Sequence, residues 1–399
     1  RDVERALAAF GEDAAVGYVG MLRALDLAAV PITGTRLRDL DVRSRLRALE
    51  AIGGSAATHA MVRIATAPIK IAQVMHAEFP AALGGRVGLE VLTTQVERHS
   101  WHERVMDAGT LDDGETLEVD VVVIGTGAGG APMAHALAGH GHAVLMLEAG
   151  GFLDRRDFGG RPLERALRFQ HSSLAVGNTV VVVPTGTSVG GTTTINSGTC
   201  FRTPADVMRR WRFEDGIDGV DPATMAPFFE RVEAMLQVGP NDRKHLGAIA
   251  DIVARGADAL GWSHEALNRN APGCDGQGVC CFGCPTDAKR STNVSYVPAA
   301  LERGAMLAHH ARVEEVLLAG GRAVGVVARA THGKQGRIRV LAKSVVLSGG
   351  ALQTPALLLK LGLANSSGLV GHGLTVHPAG SVPAFFDQAV RGWEGVPQG

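Results

Sequence analysis

Apolar residues recur along this chain with two different periods, and the changes of period mark its elements. Near the N-terminus the spacing is helical. Asp41 stands ahead of VRSRLRALEAI, where Leu46, Leu49 and Ile52 fall on one face, so a capped helix is expected. Ser55 can cap a following run, AATHAMVRIATAPIKIAQVMH, which Pro68 should kink or break. Helical spacing returns at Pro222 to Val238, with Phe228, Val232 and Met235 on one side, at residues 245–261, and at Leu352 to Leu361. Elsewhere the apolar residues form short continuous or alternating runs, as strands do: Val121 to Ile124, Ala143 to Leu147, Val180 to Val183, VEEVLLA and AVGVVA within 312–328, and Arg337 to Leu347. Gly320-Gly321 between two of these runs predicts a hairpin. Thr110 to Thr116 reads as a polar linker, and the charged stretch from Gly151 through Arg168 as a solvated connection or short helix.

One stretch organises the rest. Val121 to Ile124 run into Gly125-Thr-Gly-Ala-Gly-Gly130, a helix-compatible run follows from Ala131 to Ala138, and the strand Ala143 to Leu147 ends in Glu148. Strand, glycine turn, helix, strand and acid make the first βαβ unit of a dinucleotide-binding domain. Gly125 permits the turn out of the strand, Gly127 lets the backbone approach a pyrophosphate, and Gly130 lets the helix pack close to the strand. The N–H groups at the helix start then face the phosphates, where the helix dipole favours negative charge. Glu148, 18 residues past Gly130, is placed to accept hydrogen bonds from a ribose diol. A lone glycine motif is weak evidence; here every flanking element is in place. A second glycine-rich region, PTGTSVGGTTTINSGTCFRTP at residues 184–204, offers backbone N–H groups and short hydroxyls that suit a second phosphate contact or a flat polar ring. Val189 and Ile195 argue that it is partly buried rather than a plain surface loop.

Composition narrows the class. The 399 residues suffice for two or three domains, and 46% hydrophobic with 20% charged residues is an ordinary globular balance. A formal net charge of −1 gives no electrostatic case for nucleic acid or an anionic membrane. No window has 18 uninterrupted apolar residues. The apolar run after Ser55 admits a peripheral membrane contact through the N-terminal helices. His59, Arg63 and Lys70 fall among its apolar residues, however, so packing on the main body is the better expectation. The chain starts at Arg1 rather than Met, which leaves the true N-terminus and any signal peptide outside this reading. Localisation and oligomeric state are not readable.

Cys200 stands alone, whereas Cys274, Cys280, Cys281 and Cys284 fall within eleven residues. That is one local site rather than a disulfide framework. The adjacent pair disfavours ordinary tetrahedral zinc. An iron–sulfur cluster on these four cysteines and a local disulfide or free thiols shaping a loop near Lys289 both remain open.

At this point the chain resembles the glucose–methanol–choline (GMC) flavoprotein oxidoreductases, over about residues 118–380. Gly125 to Gly130 with Glu148 resembles the family's adenosine and pyrophosphate site. VGGTTTINSGTCFRTP (189–204) is similar to its first signature, along the flavin, and SGGALQTPALL (348–358) to its second, with VGHGLTVHP (370–378) like the segment that follows. The cysteine segment, 274–300, resembles that of the long-chain alcohol oxidase and gluconate dehydrogenase branches. The resemblance implies an α/β fold with an α+β substrate part: a Rossmann-like FAD-binding parallel sheet with an antiparallel meander, an antiparallel-sheet substrate domain and a helical N-terminal region. Expected boundaries are 1–115 for that helical region, 116–204 and 296–380 for the FAD domain, 205–295 for the helical, cysteine-rich insertion, and 381–399 for the start of what remains of the substrate domain. The implied FAD contacts are Gly125, Thr126, Gly127 and Gly130 in the first loop, and Glu148 and Ala149 after the second strand. Gly190, Gly191, Thr192, Asn196 and Gly198 follow in the second loop, with Val313 beyond. The implied reaction moves a hydride from an alcohol carbon to flavin N5 while a base takes the hydroxyl proton. An apolar or long-chain alcohol is the implied substrate, and O2 or another electron acceptor the oxidant. In the family that base is a histidine near the C-terminus, in a segment this sequence does not reach, so none of the fifteen histidines inherits the role; His377, in an HP pair, reads better as a structural turn residue. Competing readings are a nicotinamide-dependent dehydrogenase, which the first βαβ unit alone permits and the second glycine loop opposes, a dehydrogenase passing electrons through an iron–sulfur cluster to a quinone or cytochrome, and a catalytically incomplete FAD-binding fragment.

Overall fold

A computed structural model describes residues 12–54, 62, 98–159, 168–177, 180–377, 384, 386–388, 390–391 and 394–399. The run after Ser55, with its Pro68 break, lies outside the described residues, as does much of the charged stretch before Arg168. The chain divides into two compact units, residues 1–89 and 90–399.

In the first unit, α1 (Glu12–Ala28), α2 (Val30–Thr33) and α3 (Val42–Ile52) enclose a small core of Leu25, Ala29, Ala48 and Ile52. Asp41 caps α3 as its sequence predicts, accepting from the backbone N–H groups of Arg43 and Ser44. The Arg45 guanidinium holds the preceding turn through the carbonyls of Leu37, Arg38 and Leu40.

The second unit is built on a seven-stranded sheet. In chain order its regular elements are β1 (Val105–Asp107), β2 (Thr116–Ile124), α4 (Gly130–Gly139), β3 (Val144–Leu147), β4 (Gln170–Val176), β5 (Val180–Gly186), α5 (Ala205–Phe213), α6 (Pro222–Leu236), β6 (Gly239–Pro240), α7 (Gly247–Ala259), β7 (Asn268–Arg269), α8 (Tyr296–Glu302), β8 (Met306–His309), β9 (Ala311–Ala319), β10 (Arg322–Ala330), β11 (Arg337–Leu347) and α9 (Gly350–Leu361). The order across the large sheet is β1-β8-β3-β2-β11-β10-β9. The first five of these are parallel, and β11-β10-β9 is an antiparallel meander. The remaining strands pair as the antiparallel ribbons β4–β5 and β6–β7.

The continuous apolar run of β2 is explained by burial on both faces. Val121 and Val123 pack with Ala131 and Ala134 of α4 and with Val297, Ala300 and Leu301 of α8. Val122 and Ile124 face the other way, with Leu145, Leu147, Val326, Ala328 and Val340. The meander reaches that face through bulges in the β9–β10 pairing, near Gly325 and between Val327 and Ala328. Gly320 and Gly321 have φ of 56° and 77°, the two left-handed positions that close the predicted hairpin.

The expected helical region does not continue to residue 115. After residue 98 the chain makes short 3₁₀ turns and β1, which joins the edge of the sheet beside β8. The polar linker Thr110 to Thr116 is pinned rather than loose: Asp112 pairs with Lys334, and Asp113 accepts from the Arg337 N–H. Strand β4 was not foreseen. Its polar residues His171, Ser172 and Ser173 give no apolar alternation, and its pairing with β5 makes the strand.

Candidate dinucleotide site

The glycine turn sits where β2 meets α4, at the carboxyl edge of the parallel strands, the usual place for a ligand in such sheets. Its glycines do different things. A Cβ on Gly130 would overlap the Gly125 carbonyl oxygen, and one on Gly125, whose φ is 94°, would overlap Ser348 O; both serve internal packing. A Cβ on Gly127 would meet only Gly190 O, at 4.0 Å, so this position faces open space. Ala128 and Gly129 are exposed, and no side chain caps the start of α4. The structure therefore presents an uncapped helix N-terminus behind a surface free of side chains, which fits the pyrophosphate of a dinucleotide.

A buried polar knot ties this turn to the second glycine loop. Thr126 is 0% exposed and its hydroxyl donates to Glu148 Oε2 at 2.7 Å while accepting from the Gly190 N–H at 3.0 Å. The Thr126 N–H also donates to Glu148 Oε2, and the Gly150 N–H donates to Oε1 at 3.0 Å. Thr292 Oγ1 donates to the Thr126 carbonyl at 2.8 Å, and Thr193 joins through its hydroxyl to Gly190 O and the Thr292 N–H. Glu148 is thus 7% exposed with three donors already on its carboxylate. Burial raises its pKa, against the opposing pull of the hydrogen bonds from Gly150 and Thr126. A ligand hydroxyl at Glu148 would share a carboxylate that already accepts from Thr126 and Gly150.

The other expected contacts fall around this knot. A Cβ on Gly191 would come within 3.2 Å of Gly127 Cα, so the two loops touch through glycines. Thr192 and Asn196 are exposed; Thr192 Oγ1 accepts from the Gly186 N–H. Gly198 is buried with φ of 80° against Asn270. Ala149 is half-buried and accepts from the Thr331 hydroxyl. Val313 packs from β9 against the sheet core, two residues past Ala311, whose N–H donates to the Glu148 carbonyl. His377 is exposed and away from regular structure.

The cysteine segment braces the second loop. Lys289, 1% exposed, donates to the carbonyls of Thr194, Asn196 and Cys280 at 2.9, 2.8 and 2.7 Å. Burial lowers its pKa to about 8. All five cysteines are free thiols, and Cys280 accepts from Arg269. Burial raises Cys274 and Cys281. Among the described residues no three of the clustered sulfurs lie close enough together to share a single metal ion, and the cavity among Cys274, Cys280, Cys284 and Lys289 holds about 20 Å³, room for one water. The free thiols line a brace behind the second loop. Sequence reasoning placed Lys289 and Thr292 inside the cysteine segment but missed their bonds to the second and first glycine loops.

A family model described as GMC oxidoreductase matches residues 51–379. An uncharacterized GMC-type oxidoreductase of Mycobacterium tuberculosis is 40% identical over 72% of this chain and 46% of its own length, and one of Sinorhizobium fredii 36% identical over 69% and 54%. A long-chain-alcohol oxidase of Arabidopsis thaliana is 29% identical over 69% of this chain and 39% of its own. The chain spans about half the length of the curated relatives it matches.

Proposed function

The chain belongs to the GMC oxidoreductase family, and from that premise we propose that it binds FAD across its two glycine loops and serves an enzyme that oxidises the CH–OH group of an apolar or long-chain alcohol. The observation that carries the reading is the knot through Thr126, Glu148, Gly190 and Thr292. It fixes the first loop against the second, a spacing that a nicotinamide site built on one βαβ unit does not require.

Bound FAD supplies the hydride acceptor. The chain's own residues bind and orient. The N–H groups at the start of α4 and the bare backbone at Gly127 receive the pyrophosphate. The Glu148 carboxylate, at the end of β3, takes a ribose hydroxyl. The second loop, stiffened from behind by Lys289, presents Gly191, Thr192 and Asn196 toward the ring system. The long-chain-alcohol oxidases among the relatives motivate the substrate class.

The test is anaerobic mixing of the FAD-loaded protein, produced from its full reading frame, with primary alcohols from short to long chain. Bleaching of the oxidised flavin band that quickens with chain length supports the reading. A flavin that no alcohol reduces would refute the substrate class, and protein that binds NAD(H) but no flavin would refute the cofactor.

A further inference from the structure

The histidines that end β8 play no part in the flavin reading, yet the backbone is bent to bring them together. Asp107 is the last residue of β1 and His309 the last of β8, and they are direct partners in this parallel pair. Their side chains therefore leave the sheet on the same face. His310 follows and, in a continued strand, would point to the opposite face. Instead its φ is 55°, a left-handed conformation that a non-glycine residue adopts only when its surroundings impose it. The turn swings its ring back to the other two side chains. His310 Nδ1 lies 3.1 Å from His309 Nδ1 and 3.1 Å from Asp107 Oδ1. All three ligand atoms lie within 4.8 Å of one another, the only such group of histidine, cysteine and acidic residues among the described residues. The ring of His310 is held from outside as well. The backbone N–H of His310 donates to Gly150 O, and the Nε2 edge of the ring lies so close to Gly151 that a Cβ there would come within 2.8 Å. Asp107 is oriented by the Gly109 N–H at 2.9 Å.

We propose that Asp107, His309 and His310 form a site for a divalent transition-metal ion such as zinc or cobalt. Hydrogen bonding alone accounts poorly for the arrangement, because His310 Nδ1 carries at most one hydrogen and faces two acceptor-capable atoms at equal distance. A cation satisfies all three. An ion about 2.1 Å from each ligand atom sets neighbouring ligands about 3.0–3.4 Å apart for angles between square and tetrahedral, and the two observed separations fall in that range. Two imidazole nitrogens and one carboxylate suit zinc, cobalt or nickel better than magnesium or calcium, which prefer all-oxygen sites. His332, whose ring centroid is 5.2 Å from that of His310, stands next to the group as a further nitrogen donor. The three side chains are half-buried, so the site is reachable from solvent.

The test uses the untagged chain, stripped with a chelator and titrated with Zn2+ by calorimetry and with Co2+ by visible absorbance. One ion per chain with micromolar or tighter affinity is expected, together with cobalt ligand-field bands that excess Mg2+ does not remove. Asp107→Asn and His309→Gln should each weaken Zn2+ binding by about tenfold or more, while His140→Gln, at an exposed histidine, should leave it unchanged. Circular dichroism and the urea midpoint check that the variants fold. Asp107→Asn keeps the shape and the acceptor for Gly109. The absence of cobalt bands in the wild-type chain, or equal Zn2+ affinity in folded Asp107→Asn and wild type, overturns the proposal.

Discussion

Replacing Thr126 with valine isolates the knot that joins the two glycine loops. The side chains have nearly the same shape, so the change exchanges one buried oxygen for a methyl group. Two hydrogen bonds vanish: the donation to Glu148 Oε2 at 2.7 Å and the acceptance from the Gly190 N–H at 3.0 Å. The Thr126 N–H to Glu148 and the Thr292 bond to the Thr126 carbonyl survive. A hydrogen bond to a charged group contributes about 1.5–3 kcal/mol, and a buried N–H left unpaired costs about 1–3 kcal/mol. The two losses share one network and add incompletely, so about 3–5 kcal/mol is expected, a large part of a typical total stability of about 5–15 kcal/mol. Thr126→Ser keeps the oxygen and loses one methyl, for about 1 kcal/mol. Urea unfolding at neutral pH, followed by circular dichroism, measures both. FAD affinity should follow the same order, because the second loop is placed through Gly190. Wild-type stability in Thr126→Val, or equal damage in both variants, would refute the claim that the hydroxyl ties the loops.

Other substitutions separate binding from folding. Gly127→Val places a side chain in open space, so stability should change by no more than about 1 kcal/mol while FAD affinity falls about tenfold or more; a Gly127→Val protein that binds flavin normally would move the pyrophosphate elsewhere. Glu148→Gln sets an amide NH2 against the Gly150 N–H and removes the charge-assisted acceptor, so it should lower stability by about 1–3 kcal/mol and FAD affinity by about one to two decades, and unchanged flavin titration of the apoprotein would refute the ribose contact. Lys289→Met leaves three buried carbonyls without a donor and should cost about 2–4 kcal/mol. Because the folded pKa of Lys289, about 8, lies below its ordinary 10.5, the unfolded chain binds more protons between those values, and this lysine adds stability as pH rises through that window. The stability gap between wild type and Lys289→Met should therefore widen from about pH 8 to pH 10.5; a gap that narrows would contradict the burial.

Much of this was legible because local chemistry and tertiary context agree. The βαβ unit could be read from Val121 to Glu148 since both strands are apolar throughout, as burial on two faces requires, and each glycine has one steric reason. The hairpin at Gly320-Gly321 and the cap at Asp41 are equally local. What escaped the sequence depends on distant partners. Strand β4 exists only because β5 pairs with it. Thr292 lies 166 residues from Thr126, and its place in the cysteine segment does not reveal that partner. The cysteine spacing was legible, but the bonds of Lys289 to Thr194 and Asn196, 95 and 93 residues away, were not. The grouping of Asp107 with His309 and His310 depends on the register of two parallel strands and one left-handed residue, neither of which has a sequence signal.

The central claim, that the two glycine loops together make an FAD site, is tested most directly by titrating the flavin-free protein with FAD while following flavin fluorescence, with NADH titrated in parallel. Quenching that saturates at one FAD per chain, an affinity that falls in Gly127→Val without loss of fold, and no saturable NADH binding are the expected results. Saturable NADH binding without FAD binding, or FAD binding indifferent to Gly127→Val, would contradict it.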